Sequence, residues 1–136
     1  MELSPKSVTV KAPPEYFTGE VTQEVVIRAP EPATYSALRV AFQPGGRTNW
    51  HTHPVGQTLY ILSGYGRFQT EGAAPVDLRP GDTVWIPPGE KHWHGAHPEH
   101  AMCHIAIQQK DENGQHIAWL EPVSDADYRA DPVPAA

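Results

Sequence analysis

Gly45-Gly46-Arg47-Thr48-Asn49-Trp50-His51-Thr52-His53-Pro54-Val55-Gly56-Gln57, closed by Gly64, is the stretch that decides how this chain folds. Side chains alternate along an extended chain, so His51 and His53, two residues apart, project to one face. Gln57 has the same parity and faces inward with Leu59 and Ile61 of the apolar run that follows. A second stretch runs from Gly81 to Pro87, then Gly89 and His92, and brings another histidine up one hairpin later.

Outward from these stretches the chain is punctuated everywhere. Fifteen prolines and eleven glycines in 136 residues are more than a helical protein tolerates, because each interrupts a regular element. They separate short apolar runs at Val21 to Arg28, Tyr35 to Gln43, Gln57 to Leu62, Tyr65 to Glu71, Val76 to Leu78 and Thr83 to Ile86, with others around Trp93 and from Ala101 to Gln109. Leu38, Val40 and Phe42 share one face of their run, opposite Arg39 and Gln43. Met102, His104, Ala106 and Gln108 share another, opposite Cys103, Ile105 and Ile107. Asn113-Gly114 predicts a hairpin turn, since both residues accept positive φ, and His116 to Leu120 the returning strand. Ser124 predicts the N-cap of one short helical turn.

About nine or ten short strands in one domain read as an all-β, double-sheet jelly roll. Residues 1–20 are expected to form an extended N-terminal arm with at most a short strand, residues 21–122 the barrel, and residues 123–136 a tail with the short helix. The end from Ala130 to Ala136 is expected to fray.

A formal charge of −6 without a Lys or Arg cluster excludes nucleic acid as the expected partner, since phosphate binding calls for a basic patch. No run of 18 apolar residues predicts a membrane span. The N-terminus lacks the apolar stretch of a signal peptide, so a cytoplasmic location is the expectation. The single cysteine, Cys103, excludes an internal disulfide and reads as a core thiol. Histidine is the outlier: seven of eight lie between His51 and His104. His97 and His100, in a proline-containing loop, read as solvated.

Gly45, five residues, His51, one residue, His53, three residues, Gln57, six residues and Gly64 resembles the first motif of the cupin family. Gly81, five residues, Pro87, one residue, Gly89, two residues and His92 resembles the second. The resemblance implies a double-stranded β-helix barrel with a metal held by His51, His53, Gln57 and His92. A strand-borne His-x-His plus a histidine from a neighbouring strand leaves coordination positions open, as catalytic metals require. The chain departs from the family pattern twice: Gln57 stands where glutamate is usual, and Ala96 where asparagine is usual. Four neutral ligands leave a divalent ion its full charge, which makes it a stronger Lewis acid but a more weakly held one. Imidazole suits zinc, iron, copper and nickel alike.

The wider context is more specific. Arg47-Thr48-x-Trp50-His51-Thr52-His53-Pro54-x-Gly56-Gln57-Thr58-Leu59, Trp85-Ile86-x-Pro88-Gly89-Glu90-Lys91-His92-Trp93-His94-Gly95-Ala96, Ala101-Met102-x-His104-x-Ala106-Ile107-Gln108 and Trp119-Leu120-Glu121 are similar to the small bacterial cupins that include manganese-dependent (R)-selective hydroxynitrile lyases. That resemblance covers residues 15 to 128. It implies Mn²⁺, with Fe²⁺, Zn²⁺ or Ni²⁺ as alternatives, and Thr48, His94 and His104 around a small-molecule substrate. Leu38, Val40 and Gln108 are expected in the pocket wall, with Leu38 where a smaller residue is usual. The implied chemistry cleaves a cyanohydrin to aldehyde and cyanide. The metal serves as Lewis acid, Gln57 as one of its ligands, and His104, or His94 in its place, takes the hydroxyl proton. Two rival readings use the same residues: iron-dependent oxygenation, and a non-catalytic module that binds a metal and a small ligand. Cupins often exchange N-terminal strands between subunits, so the resemblance also implies a homo-oligomer, a dimer or tetramer.

Overall fold

The computed structural model describes residues 1–133. In chain order its first strands are β1 (Val10–Lys11), β2 (Phe17–Thr18), β3 (Val21–Arg28), β4 (Tyr35–Phe42), β5 (Arg47–Thr48) and β6 (His51–Thr52). There follow β7 (Gln57–Gly64), β8 (Gly66–Thr70), β9 (Val76–Leu78), β10 (Thr83–Ile86), β11 (His92–Ala96), β12 (Met102–Gln109) and β13 (Ala118–Trp119), then one helical turn, α1 (Asp125–Tyr128). The strands make two antiparallel sheets. One has the order β1-β3-β4-β12-β7-β10; in the other β13-β6-β11-β5-β2 is extended by β8 on β11 and β9 on β8. This is the expected jelly roll. No helix among the described residues is long and apolar enough to cross a membrane.

The alternation read from the sequence fixes which side of each strand is buried. Val40 and Phe42 of β4, Leu59 and Ile61 of β7, and Met102, His104 and Ala106 of β12 are all buried, while Arg39 is exposed. The register between β7 and β12 slips at Leu62: Cys103 pairs with Ser63 but His104 pairs with Ile61. The extra residue is a β-bulge, which re-aims a strand locally. Beyond it, Ala106 lies opposite Leu59 and Gln108 opposite Gln57, all facing the interior.

Two glycines are dictated by contact. Gly64 ends β7 at φ +83°, and a Cβ there would lie 2.0 Å from the Ala101 carbonyl oxygen. A Cβ on Gly95 would lie 2.4 Å from the Gly46 oxygen, so only glycine lets β11 pass so close to the loop that starts β5.

A smaller apolar cluster lies on the far side of β11. Trp93 points away from His92 and His94, as its parity requires, and packs with Trp50, Val123 and Tyr128. This cluster docks α1, whose N-cap is Ser124, its hydroxyl accepting from the Asp127 N–H. Arg47 lies 4.2 Å over the Tyr128 ring and donates to the Val123 carbonyl and the Asp125 carboxylate, each at 2.9 Å.

Two expectations are corrected. The N-terminal arm carries two short strands, and Phe17 of β2 enters the core. Asn113-Gly114 does turn the chain, but only Gly114 has positive φ. The segment after it does not return alongside β12. It crosses to the other sheet, where Ala118 and Trp119 pair with Thr52 and His51, because β12 already has β4 and β7 on its two edges. The expected frayed end lies partly outside the described residues; within them, Val133 donates its N–H to the Pro75 carbonyl at 2.8 Å.

Candidate metal centre

His51 on β6 and His92 on β11 are direct cross-strand partners, and His53 follows on the loop after β6. Ligand atoms of the three rings lie within 4.8 Å of one another, and all three residues are buried. Each ring is held the same way. His51 Nδ1 lies 2.8 Å from the Asn49 carbonyl, His53 Nδ1 2.7 Å from the His116 carbonyl, and His92 Nδ1 2.9 Å from the Glu90 carbonyl. A carbonyl only accepts, so each Nδ1 carries the proton and each Nε2 presents a lone pair. Burial pushes the pKa of His53 and of His92 down to about 4, and burial with the neighbouring His92 and His53 holds His51 well below its ordinary value. At neutral pH the three rings are uncharged acceptors.

Gln57 Oε1 lies 3.3 Å from His92 Nε2. With the His92 proton on Nδ1, two lone pairs face each other there with no hydrogen between them. His53 Nε2 is buried without a hydrogen-bond partner. Converging acceptors and an orphaned buried nitrogen are costly unless a cation sits among them. The donor set therefore fits a divalent metal ion.

The centre opens on a cavity of about 110 Å³. Thr48, Gln57, His94 and His104 line it, with Leu38, Val40 and Gln108. Among the described residues no carboxylate lines it. Thr48 Oγ1 accepts from the His94 backbone N–H at 3.3 Å. The His94 ring stands 5.3 Å from that of His51. His104 Nε2 lies 2.9 Å from His94 Nδ1, while His94 Nε2 and His104 Nδ1 are buried without partners. Burial lowers the His104 pKa to about 4, and burial with the adjacent His104 holds that of His94 well below its ordinary value.

A sequence reading does not find Phe17, Gln23, His116 and Ile117, which also line the cavity, nor Trp119 as a wall residue. Phe17 lies in the arm and Ile117 in a segment read as a hairpin return. Ser36, which shares its parity with Leu38 and Val40 on β4, lines the adjoining outer groove instead. His97 packs half-buried against Tyr65, and His100 is exposed. Burial raises the Cys103 pKa, as suits a core thiol.

Comparison with known proteins agrees with this geometry. The family described as Cupin domain matches residues 38–107. The chain belongs to the cupin family. This cupin is 50% identical over 119 residues, 88% of its length and 90% of the other, to the (R)-mandelonitrile lyase of Granulicella tundricola. A crystal structure of a cupin-like protein from Thermotoga maritima superposes with a TM-score of 0.83 at 33% identity, covering 95% of this chain and 96% of that one. A shorter match, 39% identical over 57 residues, joins 41% of this cupin to 28% of a dimethylsulfoniopropionate lyase of Ruegeria pomeroyi.

Proposed function

We propose that this cupin is a hydroxynitrile lyase that cleaves and forms cyanohydrins at a metal held by His51, His53, His92 and Gln57. The observation that carries the reading is the neutral His94–His104 pair facing the same carboxylate-free cavity as the three-histidine group. The similarity to an (R)-mandelonitrile lyase over most of both chains supports it. Manganese is the proposed ion. When bound, it supplies a Lewis acid that lowers the pKa of a neighbouring hydroxyl.

The protein's own part is proton handling and exclusion of charge. Two neutral imidazoles share one proton in the His94–His104 hydrogen bond, so the two outer nitrogens comprise one N–H and one bare acceptor. If His104 donates to His94, then His104 Nδ1 is bare and is the base; if the bond is reversed, His94 Nε2 takes that role. The base accepts the cyanohydrin hydroxyl proton as the C–C bond breaks. The electron pair of that bond leaves with cyanide, and the proton passes on to give hydrogen cyanide and an aldehyde. Thr48 Oγ1 is placed to orient the substrate oxygen. A cavity without carboxylates does not repel the departing anion.

The test is aldehyde release from racemic mandelonitrile by manganese-loaded protein against a chelator-stripped control at mildly acidic pH. Metal-dependent consumption of one enantiomer is expected. No release above the control under any of manganese, iron, zinc or nickel sinks the reading. Self-association belongs to the same proposal: exposed Trp85, Tyr60 and Ile107 on the outer face of β10, β7 and β12 support it. A monomer by light scattering would remove it.

A further inference from the structure

A carboxamide has an oxygen end and an amino end of nearly equal size, so shape alone does not decide which end Gln57 turns toward the histidines. Hydrogen-bond polarity does. Ser36 on β4 pairs in register with Gln108 on β12, and Gln108 pairs in register with Gln57 on β7, a single row across three strands. Gln108 Nε2 donates to Ser36 Oγ at 2.8 Å, with the Ser36 carbonyl oxygen at 3.4 Å. With its amino end at Ser36, Gln108 presents its oxygen to Gln57, which donates to it from Nε2 at 3.1 Å. The remaining end of Gln57, its oxygen, is left facing His92 Nε2 at 3.3 Å. Gln57 and Gln108 are both buried, so each depends chiefly on these partners for its hydrogen bonds.

We infer that Ser36 is a positioning residue: through Gln108 it fixes the polarity of the row so that the oxygen of Gln57 faces the three histidines. The inference rests on the proposed metal centre. Reversed, the same row still satisfies its hydrogen bonds within the chain, because a serine hydroxyl also donates. The Gln57 amino group then donates to the bare His92 nitrogen and presents no lone pair to a cation. The Ser36 oxygens, two acceptors beside one amino group, bias the row against that arrangement. A glutamate at position 57 has no wrong end, since both of its terminal atoms are oxygens.

The experiment is Mn²⁺ affinity measured by titration calorimetry on the metal-stripped full chain, for wild type, Ser36→Ala, Ser36→Thr, Gln57→Glu and the Ser36→Ala/Gln57→Glu double variant, with circular dichroism to establish folding. Ser36→Ala is expected to weaken Mn²⁺ binding by about three- to tenfold, the worth of one net hydrogen bond. Ser36→Thr keeps the hydroxyl and is expected to restore wild-type affinity. In the Gln57→Glu background the Ser36→Ala change is expected to have less than about a twofold effect, since the bias no longer selects between unlike ends. Equal affinity of wild type and Ser36→Ala overturns the inference, and so does an equal loss in both backgrounds, which marks a general structural role. If Ser36→Ala does not fold, loss of affinity in a folded Gln108→Leu chain supports the row and unchanged affinity overturns it. Wild type that binds no Mn²⁺ while folded overturns the metal reading itself, and this inference with it.

Discussion

His104 Nε2 stands 2.9 Å from His94 Nδ1, a hydrogen bond between two buried rings carried by opposite sheets of the barrel. Neither ring has another hydrogen-bond partner among the described side chains, so each fixes the proton of the other. Replacing His104 by alanine removes both a candidate base and the group that sets the His94 tautomer. A positioned general base contributes about 10²–10⁴ in rate, and His104→Ala is expected to lose that much kcat on mandelonitrile while its Mn²⁺ affinity stays at the wild-type level. His94→Phe makes the converse change, removing the other candidate base and the partner of His104 while keeping a ring in place. Steady-state kinetics with metal content measured on the same samples makes the check. Full activity in both variants would remove the pair from the mechanism.

The three Nε2 lone pairs and the Gln57 oxygen converge without a proton among them, so a cation that binds there also stabilises the fold. At a free metal concentration a hundred times its Kd the gain is about 2.7 kcal/mol, a Tm rise on the order of 10 °C for a domain of this size. Differential scanning fluorimetry with and without Mn²⁺ is expected to show that rise in wild type and to lose it in His53→Ala. An equal rise in the variant would place the ion elsewhere.

How far the sequence reaches is clearest at this centre. His51, His53 and Gln57 share a parity, and His104 and Gln108 share another, so period-two alternation alone directs all five inward. What alternation does not carry is the shell that holds them. The carbonyl that takes the His53 proton belongs to His116, 63 residues further on, in a segment whose composition suggested a hairpin. The segment pairs instead with β6, because both edges of β12 are taken. The bulge at Leu62, which brings Ile61, Leu59 and Gln57 opposite His104, Ala106 and Gln108, also leaves no signature in composition. Local spacing specifies faces; long-range pairing specifies partners.

Buried neutral histidines tie stability to pH. The folded chain holds His53, His92 and His104 at about 4, below the ordinary value of 6.5. Above 6.5 the rings are neutral whether folded or not. As pH falls from 6.5 toward 4 the unfolded chain takes up protons that the folded chain refuses, so stability is lost through that window. Each ring contributes at most about 1.4 kcal/mol per pH unit, and three acting together roughly 4 kcal/mol per unit near pH 5. Urea unfolding of metal-free protein at pH 7, 6 and 5 is expected to show a steeply falling midpoint. Saturating Mn²⁺ should move the loss to lower pH, since the ion binds only the neutral rings. A midpoint that does not move between pH 7 and 5 would contradict the burial of these rings as neutral groups.

Leu38 lies half-buried where the inner cavity meets a broader outer groove of about 640 Å³, and it lines both. Its side chain borders both spaces, beside Val25 on one neighbouring strand and Ala106 on the other. Leu38→Ala removes that bulk from the boundary. Full burial would cost about 2–5 kcal/mol for such a truncation; a half-exposed leucine should cost less, about 1–2 kcal/mol, leaving the fold intact. The expected gain is in substrate range. Pocket volume discriminates by about ten- to two-hundredfold per misplaced methylene-sized group, so kcat/KM for an ortho-substituted aromatic cyanohydrin is expected to rise by about tenfold relative to that for a small aliphatic one. Competition between the two substrates in one reaction reads the ratio directly and is insensitive to the amount of active protein. An unchanged ratio would mean that entry is limited elsewhere on the rim, with His116, which also lines both spaces, the next residue to truncate.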